Sequence, residues 1–217
     1  MKALNLINEL GNGGTVLCLG AHSDDIEIGC GGTLFKLLES SQGLTVNWVV
    51  LSASGPRKQE ALDSANHFLA PVKQRNVILK QFRNGYFPYV ATEIKEFFET
   101  LKDLPRPDLI LTHYDQDMHQ DHRTVSELTR NTFRDHLILE YEIPKYDGDT
   151  GSPNMFVSLE KAHLKSKVAA LESYFSSQRD KQWFSADTFL GLSRLRGIQC
   201  NSPTGHAEAF YCKKIVA

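Results

Sequence analysis

Short apolar, β-branched runs alternate along this chain with longer segments whose apolar residues recur every three or four positions. TVLCLGA (15–21), LTVNWVVLSA (44–53), NVILKQF (76–82), DLILTH (108–113) and HLILEYEI (136–143) read as strands. Between them GGTLFKLLESSQG (31–43), RKQEALDSANHFLA (57–70), ATEIKEFFETLKDL (91–104) and DHRTVSELTRNTF (121–133) carry helical spacing. Leu34, Leu37 and Leu38 share one face, as do Ala61, Leu62, Ala65, Phe68 and Leu69. Gly43 offers a stop for the first helix, and Pro105 and Pro107 close the third. After residue 144 the rhythm loosens. A loop rich in Pro, Gly, Asp and Asn (143–154) leads to a helix over 159–175 and a last strand over 208–215.

Strands alternating with helices in this way require right-handed crossovers. They predict an α/β fold, a Rossmann-like three-layer sandwich with a mainly parallel sheet and helices on both faces. No repeat, low-complexity tract or linker divides the chain, so residues 1–217 read as a single domain. Ligands of open parallel sheets collect beyond the carboxyl ends of the strands. Two predicted strand ends carry polar clusters: His22, Asp24 and Asp25 after the first, and THYDQDMHQDH (112–122) at the fourth.

Composition narrows the function classes. Hydrophobic content of 41% with 23% charged residues is that of an ordinary globular protein. A formal net charge of −2 gives no electrostatic basis for nucleic-acid binding. No run approaches the ~18 apolar residues of a membrane span, and the N-terminal MKALNLINELGNGG is too polar for a secretory signal, so a cytoplasmic location is expected. The four cysteines form no CxxC pair, which fits a reducing compartment; Cys18 reads as a buried thiol and Cys30 as packing.

The stretch GAHSDDIEIGCGGTL (20–34) admits two readings, a phosphate-cradling turn or half of a metal site. The glycines lack G-x-G-x-x-G spacing, and Asp24, Asp25 and Glu27 would repel phosphates. A divalent ion explains the composition better. His22 and Asp25 can chelate from one segment, His122 can join from the second strand end, and Asp24 is left over as a free carboxylate for general-base work. A lone histidine at a strand end is more often structural, and adjacent aspartates are usually a turn or cap; on matching strand ends they favour a metal.

AHSDDIEIGCGGTL resembles the AHPDDE…GGT signature of the LmbE/PIG-L family of zinc-dependent de-N-acetylases. DMHQDH (117–122) resembles that family's D-x-H-x-D-H, and SGPRKQEALDSANHF (54–68) its G-x-x-R-x-x-E-x-x-x-A helix. LESYFSSQ (171–178) and the region from Arg196 to Phe210 are similar to later family segments. The resemblance implies hydrolysis of a small-molecule N-acetyl amino sugar conjugate. It makes His22, Asp25 and His122 ligands of Zn2+, a role in which the same N/O donors also accept Fe2+. It further implies Asp24 as base, His119 as the imidazole that stabilises the oxyanion, Asp121 as the group orienting His119, and Arg57 as a substrate contact. Three departures stand out: Ser23 replaces a proline, Glu27 lies one place beyond the usual glutamate, and Asn84 in FRNGYF replaces an aspartate that contacts sugar hydroxyls. His206 and Glu208 are expected to line the substrate pocket, as are Tyr174, Gln178 and Arg196. His113 reads as structural, with the option of supporting a ligand from behind, and His67 and His163 as surface or packing groups. The rival readings are deacetylation of a non-sugar amide and a non-catalytic sugar-binding protein on the same fold. A homo-oligomer is compatible with the sequence.

Overall fold

Period-two alternation in the strands divides the interior into two cores. The computed structural model describes residues 9–10, 13–39 and 43–216; most of the N-terminal segment read against a secretory signal lies outside them. Strands β1 (Thr15–His22), β2 (Thr45–Ser52), β3 (Gln74–Leu79), β4 (Leu109–His113) and β5 (Ile138–Tyr141) pair in parallel. Strands β6 (Met155–Ser158) and β7 (Ala207–Cys212) complete the sheet through antiparallel pairings, in the order β3-β2-β1-β4-β5-β7-β6.

Helices α1 (Asp25–Glu39), α2 (Pro56–Phe68), α5 (Lys161–Tyr174) and α6 (Ala186–Gln199) contribute to one core, with Val16, Cys18, Trp48 and Leu111 from the strands. On the other face α3 (Ala91–Thr100) and α4 (Gln120–Thr132) pack on Leu17, Leu19, Val49 and Ile110. Both faces of the sheet are covered, as the continuous apolar strands predict. From β1 the chain crosses to β2 and β3 on one side, then returns to β4 on the other. The sequence direction therefore reverses between β1 and β4, and a crevice forms beyond their carboxyl ends.

The glycine-rich stretch is not a turn. The helix starts at Asp25, six residues earlier than the apolar spacing predicts, and is kinked at Cys30. Its glycines serve close packing: a Cβ on Gly29 would lie 2.1 Å from the Tyr141 ring, and one on Gly32 2.5 Å from Leu159. The kink frees backbone groups that side chains then satisfy. The Glu208 carboxylate accepts from the Gly32 and Thr33 N–H groups, and Lys167 donates to the Ile28 carbonyl and to Glu208. Strand β6 and helix α6 have no counterpart in the sequence reading. Four residues are too few for a clear alternation, and α6 leaves Leu190, Leu195 and Ile198 exposed, which blurs its apolar face.

Candidate metal and catalytic site

The crevice between β1 and β4 brings the two sequence clusters together. His22 is the last residue of β1 and Asp25 the first of α1; the Asp25 carboxylate accepts from the His22 backbone N–H at 2.6 Å, which locks this corner. His119 caps the start of α4, and Asp121 and His122 occupy its first turn. His22, Asp25, Asp121 and His122 are all buried.

Three donor atoms converge. His22 Nδ1 lies 3.1 Å from His122 Nε2 and 3.3 Å from Asp25 Oδ2, and His122 Nε2 lies 3.5 Å from the same Oδ2. Tetrahedral ligands about 2.0–2.1 Å from a zinc ion stand roughly 3.3–3.4 Å apart, so this triangle fits such a cation. The remaining nitrogen of each imidazole is committed to a carboxylate. His22 Nε2–H donates to Asp121 Oδ2 at 3.1 Å, and His122 Nδ1–H to Asp117 Oδ2 at 2.9 Å. Those bonds fix the tautomers and leave His22 Nδ1 and His122 Nε2 as the lone-pair atoms, the usual support of ligand histidines.

Electrostatics point the same way. Burial pushes the Asp25 carboxyl upward, but the imidazoles of His122, His113 and His22 outweigh it and hold the group well below the usual range. Burial lowers His122, yet Asp25 and Asp117 raise it to about 9. His22 is likewise raised against its burial by Asp25 and Asp121. The cluster favours positive charge, which a proton or a metal ion can supply.

Two further sets of donors lie within 4.8 Å of one another, His22–His119–His122 and Asp25–His113–His122. His113 Nε2 already accepts the Ala21 N–H at 3.0 Å, so its lone pair is engaged. Its ring stacks on His122 at 4.0 Å and its Nε2 lies 3.2 Å from Asp25 Oδ2. His119 Nδ1 accepts the Asp121 N–H at 3.2 Å, which leaves the proton on Nε2. Burial, with the His122 and His22 charges, lowers His119 to about 4.

Several expected partnerships come out differently. The Asp121 carboxylate does not reach His119; it bonds His22 and accepts from the Gly85 and Phe87 N–H groups, and only its backbone touches His119. Arg57 Nη2 is paired with Asp24 Oδ1. Glu27 is buried against Ser64 of α2, and burial pushes its carboxyl up to about 8. Asp24, Arg57, Asn84, His119 and Gln178 line a pocket of about 260 Å3 above the donor triangle. His206 does not; it lies in a separate groove with Lys161 and Leu190, because β7 is two places from β4 in the sheet. Glu208 accepts from N–H groups past the α1 kink, Arg196 pairs with Glu142, and Tyr174 packs on His67; none of the three lines the pocket.

Asp117, inside the DMHQDH motif, does not line the pocket; it is buried against His122. Other pocket groups had no assigned role in the sequence reading. Lys145, Tyr146 and Asp147 come from the 143–154 loop, and Lys181 and Trp183 from the segment before α6. Lys145 bonds both Asp117 and Asp149, at 3.0 and 2.5 Å.

Residues 17–133 match the family described as PIG-L, GlcNAc-PI de-N-acetylase. The chain is 26% identical over 174 residues to the uncharacterized deacetylase YaiS of Escherichia coli K12, a match spanning 74% of this chain and 90% of that protein. The fold is similar to that of N,N'-diacetylchitobiose deacetylase from Pyrococcus horikoshii, with a TM-score of 0.68 at 19% identity over 96% of this chain and 88% of that one. It is also similar to GalB, the 4-carboxy-2-hydroxymuconate hydratase of Pseudomonas putida, with a TM-score of 0.70 at 16% identity over 94% and 98% of the two chains. One architecture thus hosts different reactions, and function must be argued from the site.

Proposed function

The chain belongs to the PIG-L family of de-N-acetylases, and from that premise we propose that it is a metal-dependent hydrolase removing acetyl from an N-acetylated amino sugar or sugar conjugate. The observation that carries this reading is the donor triangle of His22, Asp25 and His122, each imidazole backed by a carboxylate, with Asp24 uncommitted to it. Those three residues would hold a zinc ion, and Fe2+ suits the same donors. Bound there, the ion supplies Lewis acidity and lowers the pKa of a water toward neutrality.

The chain's own groups do the rest. Arg57 holds Asp24 through Oδ1, leaving Oδ2 to take the proton of the water that attacks the acetyl carbonyl. The same carboxyl then returns that proton to the departing amine. His119, pinned by the Asp121 N–H with its proton on Nε2, donates a hydrogen bond to the oxygen where negative charge develops. A preorganised donor of this kind contributes about 3–4 kcal/mol. Asp121 and Asp117 hold the two ligand imidazoles in their metal-binding tautomers. The Asn84 amide is available to sugar hydroxyls.

The test is acetate release by zinc-loaded protein from a panel of N-acetylated sugars, free, lipid-linked and nucleotide-linked, beside N-acetylated non-sugar amides. Acetate from at least one sugar substrate, abolished by a chelator and restored by zinc, is the expected result. Release only from non-sugar amides would overturn the sugar assignment. Binding of zinc and sugar with no acetate from any substrate would favour a non-catalytic binding protein.

A further inference from the structure

Three lysine and arginine side chains line the pocket, and their partners differ. Arg57 is paired with Asp24, and Lys145 with Asp117 and Asp149. Among the described residues, the Lys181 ammonium has no carboxylate partner; it donates to the amide oxygen of Gln178 at 2.6 Å. Lys181 itself is exposed, yet its anchor is built into the protein. Gln178 is only 3% exposed and donates through Nε2 to Ser177 Oγ at 2.9 Å. Ser177 in turn gives its N–H and its hydroxyl to Glu60 of α2, at 2.8 and 2.6 Å. This hydrogen-bonded relay runs from a helix to the pocket rim and ends on an ammonium whose charge is uncompensated. The ring of Trp183 lies 5.6 Å from that nitrogen.

We propose that Lys181 is a specificity-determining residue that selects an anionic substituent, a carboxylate or a phosphate, carried on the sugar away from its acetamide. The inference rests on the de-N-acetylase reading of the same pocket and adds the charge of the substrate to it. With the acetamide at the donor triangle, a pocket of about 260 Å3 takes a single sugar ring, so a substituent on that ring reaches the rim. An anion there gains a charge-assisted hydrogen bond from Lys181 that a neutral hydroxyl cannot match. Trp183 offers an apolar face beside it. Asp147 lines the same pocket without a partner among the described residues, and its charge opposes the anion.

The test compares kcat/KM for acetate release from three probes: the methyl glycoside of N-acetylglucosamine, its carboxymethyl glycoside and N-acetylglucosamine 1-phosphate. The charged probes are expected to be preferred by ~10-fold or more, the usual scale of a hydrogen bond to a charged group. Lys181→Gln is expected to cut that preference about tenfold, Lys181→Arg to keep it and Asp147→Asn to increase it. Calorimetric binding of glucosamine 1-phosphate against glucosamine to metal-free protein should give the same ordering without turnover. Preference for one anion alone supports the proposal and identifies the group. Equal use of neutral and charged probes, or a preference undiminished in Lys181→Gln, overturns it while leaving the deacetylase reading intact. Absence of acetate from all three, with zinc bound, counts against both.

Discussion

The floor and the rim of the pocket are built by different means. On the floor, donors sit at the end of a strand or within a first helical turn, buried, with a carboxylate behind each imidazole: Asp121 behind His22 and Asp117 behind His122. Asp121 accepts from Gly85, Phe87 and His22. At the rim, Tyr146, Asp147, Lys181 and Trp183 stand on loops tied back by a few side chains, Lys145 to Asp149 on one side and Glu60 to Ser177 on the other. The difference separates two tasks. On the proposed function, fixed geometry would serve the chemistry and the rim loops the choice of substrate.

The sharpest break in that contrast comes from the floor. His122→Ala is expected to lose both the metal, by elemental analysis, and acetate release. Asp24→Asn should keep the metal while activity falls by roughly 10²–10⁴-fold. Equal metal loss in the two variants would erase the distinction between ligand and base. One layer out, Asp117→Asn and Asp121→Asn should weaken zinc binding about 10–100-fold in chelator competition, since each carboxylate backs one ligand imidazole. At the rim, Glu60→Gln should raise KM by roughly fivefold and leave zinc affinity unchanged, because it loosens the segment that carries Gln178 and Lys181.

A buried acid away from the floor supplies the smallest effect and a check on the electrostatics. Asp25, Asp117 and Asp121 are held low by the imidazoles beside them, whereas Glu140 on β5 has none, and burial with the Asp115 charge raises it to about 7 against Lys213 and Arg130. A carboxyl raised in the folded state holds its proton more tightly there than in the unfolded chain. Its contribution is fully present below an ordinary pKa near 4.5 and is lost as pH rises through about 7. Glu140→Gln should therefore stabilise the protein above neutral pH, on the order of 1–3 kcal/mol, and flatten this part of the stability profile. Thermal melts across pH 5 to 8 measure it.

How much the sequence discloses follows from the same contrast. His22, Asp24 and Asp25 are neighbours in one segment, and Asp117 to His122 in another, so local spacing exposes the floor. The pairing of Asp121 with His22 spans 99 positions, and nothing local announces it. Strand and helix alternation gives the sheet and its covered faces. The glycines misplace the start of α1 because they read as a turn, while their role is to admit Tyr141 and Leu159. Lys145 and Lys181 lie on loops with no periodic signal. His206 sits beside a recognisable segment, but β7 carries it sideways from the crevice.

Anomalous diffraction from crystals grown with zinc tests the central claim most directly. The account predicts a peak about 2.0–2.2 Å from His22 Nδ1, His122 Nε2 and the Asp25 carboxylate. A peak on other residues, or none at this triangle with zinc in excess, would contradict it.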